Sequence, residues 1–116
     1  MNTKVVFDAD LEQAVRRTAE ERVRRTLERR VYNPDDVNAM INLICDDTTQ
    51  NLARLNENFK FVAHCAVFQR AAPGEPEATF LHENTCFWKA DTDGLVQVKW
   101  ENPSMICLLS VFCLAV

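Results

Sequence analysis

The chain has 116 residues, of which 47% are hydrophobic and 26% are charged, and its net charge is −4. This length predicts one domain with room for a core, and the composition is that of an ordinary soluble globular protein, not of a disordered segment. The acidic balance gives no general attraction to nucleic acid, which disfavours a direct DNA or RNA binder.

The two ends of the chain carry no pattern of a targeting or membrane segment. Asp8, Asp10 and Glu12 stand where a signal peptide needs an apolar core. The apolar run from Met105 to Val116 is shorter than the roughly 18 to 20 residues that a membrane span requires. We therefore expect a cytoplasmic protein with no membrane insertion.

The cysteines favour free, buried thiols in a reducing compartment. They are odd in number, none belongs to a Cys-x-x-Cys pair, and most lie in strand-like apolar runs, which is unlike a disulfide framework or a zinc site. The five are Cys45, Cys65, Cys86, Cys107 and Cys113.

A long first helix is predicted after a flexible arm of residues 1–8, so that the folded domain covers residues 9–116. From Asp8 or Asp10 onward an apolar residue recurs at every fourth position, which is typical of an amphipathic helix, here ending near Tyr32. The stripe consists of Leu11, Val15, Ala19, Val23, Leu27 and Val31.

The opposite face of this helix is rich in charges of both signs. The spacing of Glu20 to Arg24 and of Glu21 to Arg25 stabilises a helix by about 0.2–0.5 kcal/mol per pair. Two interpretations remain open: a solvated face, or a docking face for an acidic partner. The charged residues are Arg16, Arg17, Glu20, Glu21, Arg24, Arg25 and Glu28.

A second helix is predicted from the run Asn33-Pro34-Asp35-Asp36, with Asn33 as N-cap and Pro34 at the first helical position. It should end within Asn56 to Asn58 and form an antiparallel pair with the first helix, covering one face of a sheet. Its buried stripe consists of Val37, Met40, Ile41, Ile44, Thr48, Leu52 and Leu55.

The first strand is predicted from about Phe59 to Arg70, and the residues of both its faces are mainly apolar. One face can meet the helices, whereas the other needs a cover that the sequence does not supply. Dimerisation is the simplest cover. The connection from Ala71 to Ala78 contains two prolines and a glycine and exceeds the length of a tight hairpin, so it permits the next strand to join the sheet of a neighbouring copy.

The rest of the chain reads as strands of an antiparallel meander, separated by Asp93-Gly94 and by Asn102-Pro103-Ser104. The run from Met105 to Val116 has one hydroxyl and no charge, so we expect it at the centre of the sheet or between the sheet and a partner. In the strand before it, one face is formed by Val96, Val98 and Trp100, and the other by Leu95, Gln97 and Lys99.

No cysteine and histidine are placed for nucleophilic catalysis. His64 and Cys65 are neighbours in a strand and therefore point to opposite faces, while His82 and Cys86 share a face but stand roughly 13 Å apart at about 3.3 Å per residue. We expect no enzyme.

No metal or cofactor site is predicted either. The run Asp91 to Gly94 resembles part of a calcium loop, but Lys89 and Trp100 take the places of its main ligands, and a type I′ or bulged hairpin turn fits better. Trp100 is expected to pack between sheet and helices, whereas core and interface roles both remain open for Trp88.

Several segments resemble one known family. CFWKADTDG from Cys86, VKWENPSM from Val98 and CLLSVFCLAV from Cys107 resemble the C-terminal signature of the Tctex family of dynein light chains. The runs VNAMINLI and FKFVAHCAVFQR are similar to that family's second helix and first strand. The departures are Cys113 in place of glycine, Lys89 in place of aspartate and a longer connection before the next strand.

This resemblance implies an α+β fold in which two N-terminal helices pack on a four-stranded antiparallel β-sheet, as a strand-exchanged homodimer. The exchanged strand would lie at the border of the sheet and bind an extended peptide by strand addition, with the face that the peptide meets left open. The residues of this predicted edge strand are Phe80, Leu81, His82, Glu83, Asn84, Thr85, Cys86, Phe87 and Trp88.

The resemblance further implies a non-catalytic subunit of the dynein microtubule motor that binds the intermediate chain, with cargo proteins as further partners. The departures leave open an axonemal motor of a cilium or flagellum in place of a cytoplasmic one. Three other classes stay open: a dimerisation hub outside dynein, a cargo adaptor that uses the arginine-rich helix face, and a thiol enzyme.

Overall fold

The computed structural model describes residues 6–76, 85, 88–89 and 92–116. Its elements are α1 (Ala9–Leu27), α2 (Val37–Leu55), β1 (Phe59–Gln69), β2 (Gly94–Glu101) and β3 (Met105–Ala115). The three strands form an antiparallel sheet in the order β1-β3-β2, and both helices pack on one face of it. The predicted α+β class is confirmed. The predicted fourth strand falls almost entirely outside the described residues.

Helix α1 begins where its sequence predicts. The carboxylate of Asp8 caps it by accepting from the N–H of Leu11 over 2.8 Å, and acidic residues in the first turn and arginines in the last match the helix dipole. The predicted apolar stripe is buried at Val15, Ala19, Val23 and Leu27, all with no exposed surface.

The prediction that α1 continues to near Tyr32 is wrong, because the helix ends at Leu27. Nδ2 of Asn102 donates to the carbonyl of Arg30 over 3.1 Å and to that of Leu27 over 3.5 Å. Val31 is in phase with the buried stripe, but its side chain is 74% exposed because the chain has already left the helix. The end of α1 is therefore determined by a contact with a distant turn.

The prediction that α2 begins at Pro34 is also wrong, since the helix begins at Val37 with Asp36 as its N-cap. Asn33 does cap a turn, because its Oδ1 accepts from the N–H of Asp35 over 2.9 Å. Asp36, however, has φ −120° and ψ −1°, which is outside the helical region and separates this turn from the helix. The predicted end of α2 is confirmed, with Asn56 as its C-cap.

The strand without charges lies at the centre of the sheet, as predicted. The uncharged strand β3 lies at the centre, paired with β1 from Phe59↔Ala115 to Gln69↔Met105 and with β2 on its other side. As predicted, one alternating set of β2 faces the helices. The helix-facing side chains that are buried include Val96, Val98, Cys107, Leu109, Val111 and Cys113.

Of the two predicted forms of the turn before β2, type I′ or bulged, the structure excludes type I′. Gly94 is the first residue of β2 and does not have a positive φ, which a type I′ turn requires. A Cβ at Gly94 would overlap the ring of Phe7, so glycine is needed there for close packing. The carboxylate of Asp93 accepts from the N–H of Ala115 over 2.7 Å and from that of Lys89 over 3.2 Å, which holds the turn against the end of β3.

Replacing Thr48 by valine should stabilise the protein. Thr48 is completely buried, and its hydroxyl has no hydrogen-bond partner in the part of the chain that the structure describes. Because valine has the same shape without a polar group to desolvate, we expect Thr48→Val to raise the free energy of unfolding by about 1 kcal/mol in urea denaturation. Thr49→Val is the matched control: the Thr49 hydroxyl donates to the carbonyl of Cys45 over 2.8 Å, so this change should bring no gain. Equal effects of the two changes would contradict the prediction.

Asn102 should be more sensitive than its position in a turn suggests. Asn102→Asp keeps the oxygen that accepts from Ser104 and Met105 but loses the amide that donates to Arg30. We expect a loss of about 1–3 kcal/mol in the free energy of unfolding, and a larger loss for Asn102→Ala. Asn33→Asp, the same exchange at an exposed cap, should change it by less than about 0.5 kcal/mol. An unchanged urea midpoint for Asn102→Asp would show that the bonds to α1 contribute nothing.

Candidate functional site

The sheet has one face covered by helices and one that the described residues leave largely uncovered. We call this second side the outer face. Val62 there is 51% exposed, and the remaining apolar side chains are half-buried. An exposed apolar surface of this kind is typical of an interaction site. The outer face consists of Lys60, Val62, His64, Ala66 and Phe68 of β1, Leu95, Gln97, Lys99 and Glu101 of β2, and Ile106, Leu108, Ser110, Phe112 and Leu114 of β3.

Two residues of the predicted edge strand are described. The ring of Trp88 packs edge-on against that of Phe112 on the outer face, with the centroids 6.2 Å apart. Thr85 is exposed and belongs to no strand. The other predicted residues, 80–84, 86 and 87, lie outside the described residues. Trp100, in contrast, packs against the core between sheet and helices, which confirms its predicted role.

Strand β2 is a border strand of the sheet that the structure describes, because it pairs with β3 alone. Nη1 of Arg16 on α1 donates to the backbone oxygen of Gln97 over 2.8 Å, so one acceptor of this border strand is already occupied. A groove of about 390 Å³ separates α1 from β2 and is lined by Arg17, Glu20, Glu21, Arg24, Val98, Lys99 and Trp100. The sequence placed Arg16 on the charged face of α1 but did not predict this bond, since a contact with a main-chain oxygen leaves no side-chain pattern.

The charged face of α1 is compensated by its own carboxylates. Glu21 accepts from Arg25 over 2.8 Å and from Arg24 over 3.1 Å, and Arg24 also donates to Glu28 over 2.9 Å. The hydrogen bonds from Arg25 and then Arg24 lower the pKa of Glu21. Exposed pairs of this kind contribute little to stability. Their pairing favours the solvated-face interpretation over a docking face for an acidic partner.

Comparison with known proteins identifies the family. The model of the Tctex-1 family matches residues 11–114. The chain belongs to the Tctex-1 family. It is 34% identical over 85 residues to a protein named Dynein light chain Tctex-type 3 from Canis lupus familiaris, which covers 73% of this chain and 69% of that protein.

Two further similar proteins, from other organisms, are both named Dynein light chain Tctex-type. The Drosophila melanogaster protein is 30% identical over 103 residues, covering 88% of this chain and 87% of its own. The Dictyostelium discoideum protein is 31% identical over 83 residues, covering 71% and 70%. The resemblance of the C-terminal motifs is thereby confirmed, and two helices on an antiparallel sheet fit the Tctex-1 fold.

The cysteines that the structure describes in this Tctex-1 family member pack among other side chains. As predicted, His64 and Cys65 lie on opposite faces of β1. Sγ of Cys65 lies 3.6 Å from that of Cys107, and this contact, together with burial, raises the pKa of Cys65 far above its ordinary value. Burial raises the pKa of Cys45 to about 11 and that of Cys113 to about 12. These thiols remain protonated at neutral pH and are poor nucleophiles.

Among the described residues, no group of three or more His, Cys, Asp or Glu side chains is arranged to hold a metal ion. Neither α1 nor α2 is long and apolar enough to cross a membrane.

Alkylation of the native protein should be slow at the described cysteines. For Cys45, a pKa of about 11 in place of 9.0 lowers the thiolate fraction about a hundredfold at pH 8. We expect iodoacetamide to modify Cys45 about a hundredfold more slowly in the native chain than in urea, and the buried Cys107 and Cys113 more slowly still, measured by mass spectrometry of peptides. Rapid modification of any of these three would reopen the possibility of a thiol enzyme.

Proposed function

We propose that this chain is a non-catalytic light-chain subunit of the dynein microtubule motor complex. Two observations together support the proposal: the chain belongs to the Tctex-1 family, and it matches relatives named as dynein light chains over most of their length. The subunit would be cytoplasmic and associated with microtubules, or would serve an axonemal motor in a cilium or flagellum.

A homodimer is the first part of the proposed mechanism. Its support is the outer face, where Val62 of β1 is 51% exposed and where Leu95 of β2 and Leu108 of β3 are only half-buried. Packing the outer faces of two copies against each other removes this apolar surface from water without the need for a further segment or a different protein. The second copy presents the same apolar surface and is present wherever the first copy is.

Strand exchange is the second part. The border strand β2 offers main-chain groups to a further strand. The predicted strand Phe80 to Phe87 follows a connection that includes Pro73 and Pro76, which is long enough to leave its own sheet. In the proposal it pairs with β2 of the second copy, beside the groove along α1.

Binding of the intermediate chain is the third part. Once exchanged, the segment Phe80 to Trp88 is the new border of the sheet, and an extended segment of the intermediate chain adds to it by main-chain hydrogen bonds. Two such borders in one dimer bind two segments, the second at a high effective concentration. The alternative function with the same fold is that of a dimerisation hub outside dynein or of a cargo adaptor. Either would bind other disordered peptides at the same border.

A fluorescence anisotropy titration tests the function. A labelled N-terminal segment of a dynein intermediate chain is titrated with the protein, and light scattering gives the solution mass of the free protein. We expect a dimer and saturable binding of one segment per subunit. A dimer without binding would overturn the dynein function and favour the hub, whereas a monomer would overturn strand exchange and the proposed binding border together.

Proline substitutions at adjacent residues distinguish the side of the exchanged strand that would bind the peptide from the side that would pair with β2 of the second copy. Neighbouring residues of a strand direct their N–H groups to opposite sides, and proline removes one N–H. We therefore expect one of Asn84→Pro and Thr85→Pro to weaken peptide binding at least tenfold with an intact dimer, and the other to weaken the dimer. Asn84→Ala and Thr85→Ala are the matched controls. If neither proline variant affects binding, the peptide binds elsewhere.

A further inference from the structure

Polar side chains cross the middle of the outer face in a single row. His64 pairs with Ser110, and Ser110 pairs with Gln97 on the other side. Nε2 of Gln97 donates to Oγ of Ser110 over 3.4 Å. His64 and Ser110 are the middle residues of the 11-residue strands β1 and β3, so that the row passes through the centre of the sheet.

Apolar side chains lie on both sides of this polar row. Toward one end of the strands, Val62, Phe112 and Leu95 are paired in register across the sheet. Toward the other end, Ala66 is paired with Leu108, and Leu108 is paired with the exposed Lys99 at the border of the sheet. Successive rows on one face of a sheet are about 7 Å apart. A shift of two residues along the strands therefore moves His64 and Ser110 onto apolar side chains of β1 and β3.

We propose that the row His64–Ser110–Gln97 fixes the register in which two copies of this chain stack their outer faces. This inference rests on the homodimer proposed above. A two-fold axis through the centre of the sheet brings the row of one copy onto the same row of the other, with Ser110 facing Ser110 of the partner subunit. Hydroxyl and amide groups both donate and accept hydrogen bonds, so the row is complementary to itself.

The row selects one register of stacking and adds little to the affinity between the two copies. A stacking shifted by two residues would bury imidazole, hydroxyl and amide against apolar side chains, and each unpaired polar group lowers the affinity about tenfold or more. A wholly apolar outer face would instead tolerate several registers of similar energy. Polar groups buried in an apolar interface serve this role in other assemblies, at some loss of affinity.

A subunit-mixing experiment tests the row. The triple variant H64V/Q97L/S110A is made with a ¹⁵N label, refolded from urea together with the unlabelled wild-type protein, and the dimers are counted by native mass spectrometry. Both proteins should form homodimers. Because the mixed dimer places a polar row against an apolar one, we expect it to be about one tenth of all dimers or less, against one half for random pairing.

Controls distinguish this inference from the proposed homodimer. Gln69→Leu makes the same chemical change as Gln97→Leu at an exposed end of β1, away from the row, and should mix at random with the wild type. If the triple variant does not fold, Gln97→Leu alone, at an exposed position, should show a smaller deficit of the mixed dimer. Random mixing of a folded row variant would overturn this inference alone, whereas a monomeric wild-type protein would overturn the homodimer and the inference together.

Discussion

The side-chain amide of Asn102 joins the helices to the sheet. Its oxygen accepts from the N–H groups of Ser104 and Met105, at 2.8 and 2.9 Å, and so closes the turn between β2 and β3. Its nitrogen donates to Arg30, just beyond α1. The hydroxyl of Ser104 in the same turn accepts from the N–H of Tyr32 over 3.0 Å. The position of α1 over β2, and with it the groove beside the border strand, depends on a group that donates and accepts within one plane.

That constraint leaves the two faces of the sheet unequal. Both helices are held on one side, where they bury alternate residues of β1, β2 and β3. Strand β3 carries no charge, and on its other face the apolar side chains, including Ile106, Leu108 and Phe112, are only half-buried. The described residues thus leave one apolar face of the central strand with no helix on it. The proposed homodimer would cover this face.

The sequence predicted the elements well because their periodicity is strong, and it failed where a distant contact decides. The four-residue repeat of α1 extends to Val31, but the bonds from Asn102 end the helix at Leu27. The glycine after Asp93 suggested a turn, yet Gly94 is required by the ring of Phe7. Neither contact has a local pattern. The candidate site was predicted from the family motifs, while the bond of Arg16 to the backbone of Gln97 could not be, since main-chain oxygens are the same at every residue.

Few of the side chains that the structure describes are free to react or to bind a charged ligand. The raised pKa values of Cys45, Cys65 and Cys113 keep these thiols protonated, and Arg24 and Arg25 of α1 are paired with carboxylates. Within the part of the chain that the structure describes, the surfaces that we propose for recognition are the main chain of the border strand and the outer face of the sheet. Main-chain pairing and apolar burial supply affinity for almost any extended segment or flat surface. Selectivity must then come from the few polar side chains set among apolar ones, and the outer face has such a set at its centre, in His64, Ser110 and Gln97.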